Sequence, residues 1–159
     1  MGAGKSVVAK ELAKALKEKL ISTDKLIEKT QKKTVARIFE EKGESYFRKL
    51  EREIVCQIAD FNGVIIDCGG GVVLNPDNIS DLKKNSTLVY IASSRNVIFE
   101  RLKNQTNRPL LKGGNPKEKI KELLDSREPL YRQAADYSVD GDHKTAAQVA
   151  REIIKLLNL

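Results

Sequence analysis

The chain reads as one α/β domain with three layers, a parallel sheet flanked by helices. Three observations predict this. Apolar runs of strand length alternate with stretches of helical period along the 159 residues. Val64-Ile65-Ile66 is apolar without alternation, as in a strand covered on both faces. No repeat, low-complexity tract or linker divides the chain, and its length suits one domain with a sizeable core.

The elements follow in order. Lys5 to Lys19 reads as a helix with Val8, Leu12 and Leu16 on one face, and Leu20 to Ser22 as a short strand. Asp24 is placed to cap the next helical piece, and Thr34 another that runs through Phe39 and ends at Lys42-Gly43. From Glu44 to Phe61 the spacing of Phe47, Leu50, Ile54, Ile58 and Phe61 predicts a long helix, with Cys56 on its apolar side. Asn62-Gly63 turns into the strand Val64–Asp67, and Gly69-Gly70-Gly71 forms a loop. Helices are predicted over 75–84, 94–104, from Lys117 toward Ala135, and over 145–157, with strands at 87–92 and 137–140. Gln105 to Pro116 is the most loop-like stretch.

Composition narrows the function. No apolar run approaches the roughly 20 residues of a membrane-spanning helix, and no apolar h-region follows the first lysines. Cys56 and Cys68 make neither a disulfide framework nor a metal-ligand spacing, so a reducing, cytoplasmic setting is expected. The net charge is +7, but the lysines are scattered along helices, and with no Trp there is no aromatic-rich basic stretch. This pattern speaks for solvated helix faces and an anion-binding cleft rather than for nucleic acid or a membrane. A small-molecule substrate and a monomer are expected.

Five groups of residues carry chemistry. Gly2-Ala3-Gly4-Lys5-Ser6, running straight into a helix, is the distal half of a phosphate-binding loop. Its glycines let N–H groups curl around phosphates, Lys5 neutralises phosphate charge, and the Ser6 hydroxyl suits Mg²⁺. Asp24 follows the second strand, where a carboxylate can take the proton of an attacking hydroxyl, although the same residue suits a helix cap. Arg48 and Glu51 stand i, i+3 on one helix, so Glu51 can orient the guanidinium for a carboxylate; a plain surface ion pair is the simpler reading. Val64 to Asp67 resembles a Walker B strand whose acid acts on Mg²⁺ or its waters, and the three glycines after Cys68 let a ligand approach the backbone. Arg108-Pro109-Leu110-Leu111 lies in the basic loop, with Arg127-Glu128-Pro129-Leu130-Tyr131 further on; a mobile loop bearing an Arg suits phosphate transfer.

In order and spacing this set resembles the shikimate kinase family, from Gly2 to about Leu157. The resemblance implies a P-loop kinase fold, ATP and Mg²⁺ as cofactors, and phosphorylation of shikimate to shikimate 3-phosphate in aromatic amino-acid synthesis. It implies that Lys5, Asp24 and Arg108 are catalytic. Gly2, Ala3, Gly4, Lys5, Ser6, Arg101 and Arg108 would hold ATP, with Arg101 on the adenine. Asp24, Arg48, Gly69, Gly70, Gly71 and Arg127 would hold shikimate, the two arginines on its carboxylate. Ser6 and Asp67 would serve the metal. It also implies a substrate-binding region over about 24–61 and a lid over about 105–116.

Three departures stand out. Ser22 stands where the family has the first acid of Asp-x-Asp. Asp67 stands where it has a small or hydroxyl residue, as though a carboxylate had moved between neighbouring strand ends. The first Gly of the loop and the strand that feeds it would lie before Met1, so the sheet is expected to lack its middle strand, folding marginally and binding ATP weakly. Two other readings stay open: a nucleotide-binding relative without turnover, and another small-molecule P-loop kinase such as a gluconate or nucleoside monophosphate kinase.

Overall fold

The structure, a computed structural model, describes residues 2–102 and 115–159. Among the described residues, four short strands are interspersed with seven α-helices: α1 (Lys5–Leu16), β1 (Lys19–Ser22), α2 (Thr23–Gln31), α3 (Val35–Ile58), β2 (Val64–Asp67), α4 (Pro76–Asn85), β3 (Val89–Ala92), α5 (Arg95–Leu102), α6 (Pro116–Ala134), β4 (Tyr137–Asp140) and α7 (Ala146–Leu157). A single 3₁₀ turn, Val72–Leu74, follows the glycines.

Side chains that satisfy otherwise orphaned N–H groups start most of the helices. The caps are Ser22 for α2, Thr34 for α3, Asn75 for α4 and Asn115 for α6, and Thr145 forms a capping box with Gln148 on α7. Asp24 is therefore not the cap; Ser22 takes that place and puts Asp24 in the first turn of α2. Helix α1 stops at Leu16, short of the expected Lys19, because Lys17 turns left-handed at φ 57°. Within α3 the ladder breaks at Gly43 (φ 80°, ψ 174°), where the sequence predicts one helix to end and another to begin.

Two expectations for α3 fail. The helix ends at Ile58 rather than Phe61, and Phe61 is exposed. Cys56 is exposed too, because Ile54, Val55 and Ile58 already fill the inward face. Arg108 and residues 105–114 of the lid expected over about 105–116 lie outside the described residues, while Asn115 and Pro116 already cap and open α6.

The sheet comes as two parallel ladders. Strand β1 pairs with β2, with Ser22 opposite Asp67, and β3 pairs with β4, with Ala92 opposite Asp140. Helices α1 and α7 pack on the β3–β4 ladder through Val8, Leu12, Val149 and Ile153 against Ile91 and Val139. Helices α2 and α3 cover β1 and β2 through Ile27, Ile38, Phe47, Leu50 and Ile54 around Ile21. A third cluster joins α5 to α6, and a fourth seats α4 under Val55 and Val72. These layers bring the strand ends Ser22, Asp67 and Gly141 (just past β4) to one cleft.

Candidate functional site

The cleft has a volume of about 980 Å³. It gathers every described residue that the sequence marks for chemistry: residues 2–6, Asp24, Arg48, Asp67, residues 69–71, Arg101 and Arg127.

At one part of the wall the chain enters α1 through Gly2 (φ 70°) and Gly4 (φ 84°), a conformation that non-glycine residues rarely adopt. A Cβ on Gly2 would lie 2.9 Å from the Leu102 side chain, so crowding adds to the backbone requirement. Gly4 caps α1 without a side-chain hydrogen bond, which leaves the first-turn N–H groups facing the cleft beside Lys5 and Ser6. Arg101 closes this end, donating to the Gly141 carbonyl at 3.1 Å.

The acidic part centres on Gly69. A Cβ there would lie 2.8 Å from Asp24 Oδ1 and 3.0 Å from Glu51 Oε1, so the two carboxylates converge on the glycine. Glu51 is almost wholly buried, at 1% exposure, and its Oε1 accepts no hydrogen bond among the described residues. Burial raises its pKa, helped by the negative charge of Asp24 and opposed by Arg48. Asp67, at the end of β2, sits in register with Ser22 at the end of β1, and both line the cleft. Next to it, burial pushes the Cys68 thiol up to about 12, which removes it as a nucleophile at neutral pH.

The basic part is built by α3 and α6. Arg48 donates from Nη1 to Glu51 Oε2 at 2.7 Å, and from Nη2 and Nε to Glu44 Oε1 at 2.8 and 3.1 Å. The Arg48–Glu51 pair is thus half inside the protein, not a solvated surface pair. Arg127 is buried, and its Nη2 lies 3.9 Å from the same Glu44 oxygen, so one carboxylate faces both guanidinium groups. A Cβ on Gly71 would collide with the Arg48 guanidinium, so any side chain there would displace it.

Three contributors carry no role in the sequence reading. Thr23, fully buried, accepts the Gly69 N–H at 3.0 Å and ties the glycine loop to α2. The Tyr131 hydroxyl donates to the Gly70 carbonyl and anchors that loop to α6. Glu44 shows a signal in its i, i+4 spacing to Arg48, but its approach to Arg127 depends on how α6 packs.

The shikimate kinase family model matches residues 1–158. The chain is 44% identical over 155 residues to the shikimate kinase of Caldanaerobacter subterraneus, covering 98% of this chain and 90% of that one. It is 45% identical to the enzyme of Thermodesulfovibrio yellowstonii, covering 98% and 89%. The fold overlays shikimate kinase from Acinetobacter baumannii in complex with shikimate with a TM-score of 0.95 at 32% identity, over 99% of this chain and 88% of that one. It overlays the Aquifex aeolicus shikimate kinase with a TM-score of 0.85 at 35% identity, over 99% and 92%. With the family model, the relatives and the solved structures all matched over nearly its whole length, the chain belongs to the shikimate kinase family.

Proposed function

We propose that this chain transfers the γ-phosphate of ATP to a hydroxyl of shikimate. The observation that carries the reading is the one cleft that gathers an anion-binding helix start, a carboxylate pair with Glu51 buried, and two arginines. A phosphorylated nucleotide needs the first, a hydroxyl acceptor the second, and an acceptor carboxylate the third.

The residues take these roles. The N–H groups of Gly2, Ala3 and Gly4 and the start of α1 hold the phosphates, Lys5 offsets their charge, and Arg101 lies toward the adenine. Asp24 takes the hydroxyl proton as the substrate oxygen bonds to the γ-phosphorus and the bond to the ADP oxygen breaks. Arg48 and Arg127 hold the acceptor carboxylate, which takes over guanidinium edges now facing Glu44. Gly69, Gly70 and Gly71 leave room for the acceptor against the backbone. Ser6 and Asp67 would hold Mg²⁺, and their hard oxygen donors on the cleft wall fit that ion. Bound there, the ion neutralises phosphate charge. Residues 24–61 form the acceptor region, and Arg108, with the segment about 105–116, would close over the phosphates.

Catalysis is tested by ADP release from Mg-ATP with and without shikimate. Shikimate-dependent release supports the reading. Nucleotide binding without any release supports a binding protein instead, and release driven equally by gluconate supports a different acceptor.

A further inference from the structure

Most backbone polar groups of the glycine loop are held by the protein, as buried backbone generally is. Gly69 donates its N–H to the buried Thr23 hydroxyl at 3.0 Å and accepts the Val72 N–H at 3.1 Å. Gly71 accepts the Leu74 N–H at 2.9 Å. The Gly70 carbonyl accepts from the Tyr131 hydroxyl, a bond that reaches the loop from α6. Among the described residues, the N–H groups of Gly70 and Gly71 meet no protein acceptor, and both glycines line the cleft.

The Gly70 carbonyl and the Gly71 N–H belong to one planar trans peptide, so they point in opposite directions. Whatever fixes the carbonyl also fixes the N–H. Glycine on both sides lets such a peptide rotate at little steric cost, so the loop alone does not hold it. Tyr131 is itself held. Its ring stacks on Tyr90 of β3, with centroids 5.2 Å apart and planes inclined by 24°. Burial raises the pKa of its phenol, and the charge and hydrogen bonding of Arg127 oppose that rise. Arg127 stands one helical turn earlier on α6, on the same face. Arg48 lies against Gly71, so the two arginines and the glycine N–H groups border one part of the cleft.

We propose that Tyr131 is a positioning residue for the acceptor: its hydroxyl sets the 70–71 peptide so that the Gly71 N–H faces the cleft, and it locks that donor to Arg127. The acceptor's carboxylate, met by Arg127, and a hydroxyl, met by the Gly71 N–H, are then gripped through one helix, α6. That the N–H meets shikimate rests on the kinase reading above; that Tyr131 fixes the peptide does not.

Tyr131→Phe is the direct test, because the ring keeps its stack on Tyr90 while the hydroxyl goes. Amide exchange at Gly69 and Val72, which flank the peptide, should quicken about tenfold, with exchange over β3 unchanged. The thermal midpoint should fall by only roughly 2–4 °C. In calorimetry without ATP, the shikimate Kd should rise about five- to tenfold. The shikimate KM should rise as much, with kcat within about twofold and the ATP KM unchanged. Tyr90→Leu keeps the hydroxyl but removes the ring beneath it, and should give the same changes at smaller size. Unchanged exchange at Gly69 and Val72 in Tyr131→Phe overturns the proposal, as does an unchanged Kd where the wild-type chain binds shikimate. An equal loss of ATP affinity, or faster exchange over β3 as well, also overturns it, because the hydroxyl would then serve the fold at large. If the wild-type chain binds no shikimate, the acceptor reading fails, and exchange still decides whether Tyr131 holds the peptide.

Discussion

Arg48 has both edges of its guanidinium occupied inside the protein, by Glu44 and Glu51. This makes the site sensitive to single atoms around it. Glu51→Ala should leave Arg48 untethered. A lost charged hydrogen bond of about 1.5–3 kcal/mol predicts a shikimate KM roughly 10–100-fold higher, with a smaller change in kcat. Gly71→Ala drives a methyl into the far end of the Arg48 side chain. The tip can swing away, so the protein should still fold while the shikimate KM rises about tenfold or more; an unchanged KM would show that Arg48 does not hold the acceptor. The raised pKa of Glu51 has a definite pH signature. Its native state favours the proton, so its stabilising contribution is full below the ordinary carboxylate value of 4.5 and is lost as pH rises through the raised value. Glu51→Gln should remove that decline, seen as a flatter thermal midpoint against pH above 4.5. Asp67 facing Ser22 across β1–β2 fits a carboxylate moved by one strand. Asp67→Ala should shift the Mg²⁺ titration of ADP release, and of ADP binding, to roughly tenfold higher metal; identical titrations would remove Asp67 from the metal site.

The glycine at position 43 controls where a whole helix points. Its φ of 80° and ψ of 174° lie in a region open essentially to glycine, and a Cβ there would touch nothing within 4 Å. The cost of Gly43→Ala is thus backbone strain without collision, about 1–3 kcal/mol. Denaturant midpoints should fall accordingly, and the shikimate KM should rise because Glu44 follows the kink directly. Elsewhere α2, α3, α4 and α7 start where Ser22, Thr34, Asn75 and Thr145 cap them. A cap depends on a side chain bonding its own neighbouring N–H groups, which made the start of α3 readable at Thr34, whereas at α2 the sequence pointed to Asp24 in place of Ser22.

Among the described residues, no strand pairing joins the two ladders, and helices pack against both. Ligands that bind only the folded state stabilise it by mass action. Shikimate at about one hundred times its Kd contributes about 2.7 kcal/mol, or a rise of roughly 5–10 °C in Tm for a chain of this length. Arg127→Met should abolish that rise if Arg127 grips the acceptor; a retained shift would place the carboxylate elsewhere.

Much of this protein is written locally. The phosphate loop, the helix caps, the Gly43 break and the Arg48–Glu51 pair depend on spacing within a few residues, because φ/ψ demands and the helical period act at short range. The fold class, and most of the residues that line the cleft, were legible for that reason. The packing of distant elements supplied the rest. Glu44 meets Arg127 only when α6 crosses α3. Thr23 reaches Gly69 because β1 and β2 pair in one register, and the Tyr131 hydroxyl finds Gly70 from another layer. Phe61 and Cys56 misled for the same cause: a helical period shows which face is apolar, whereas neighbouring layers decide how far along and around the helix that face is covered. A side chain's partner across the fold depends on where whole elements come to rest, and no short-range pattern encodes that distance.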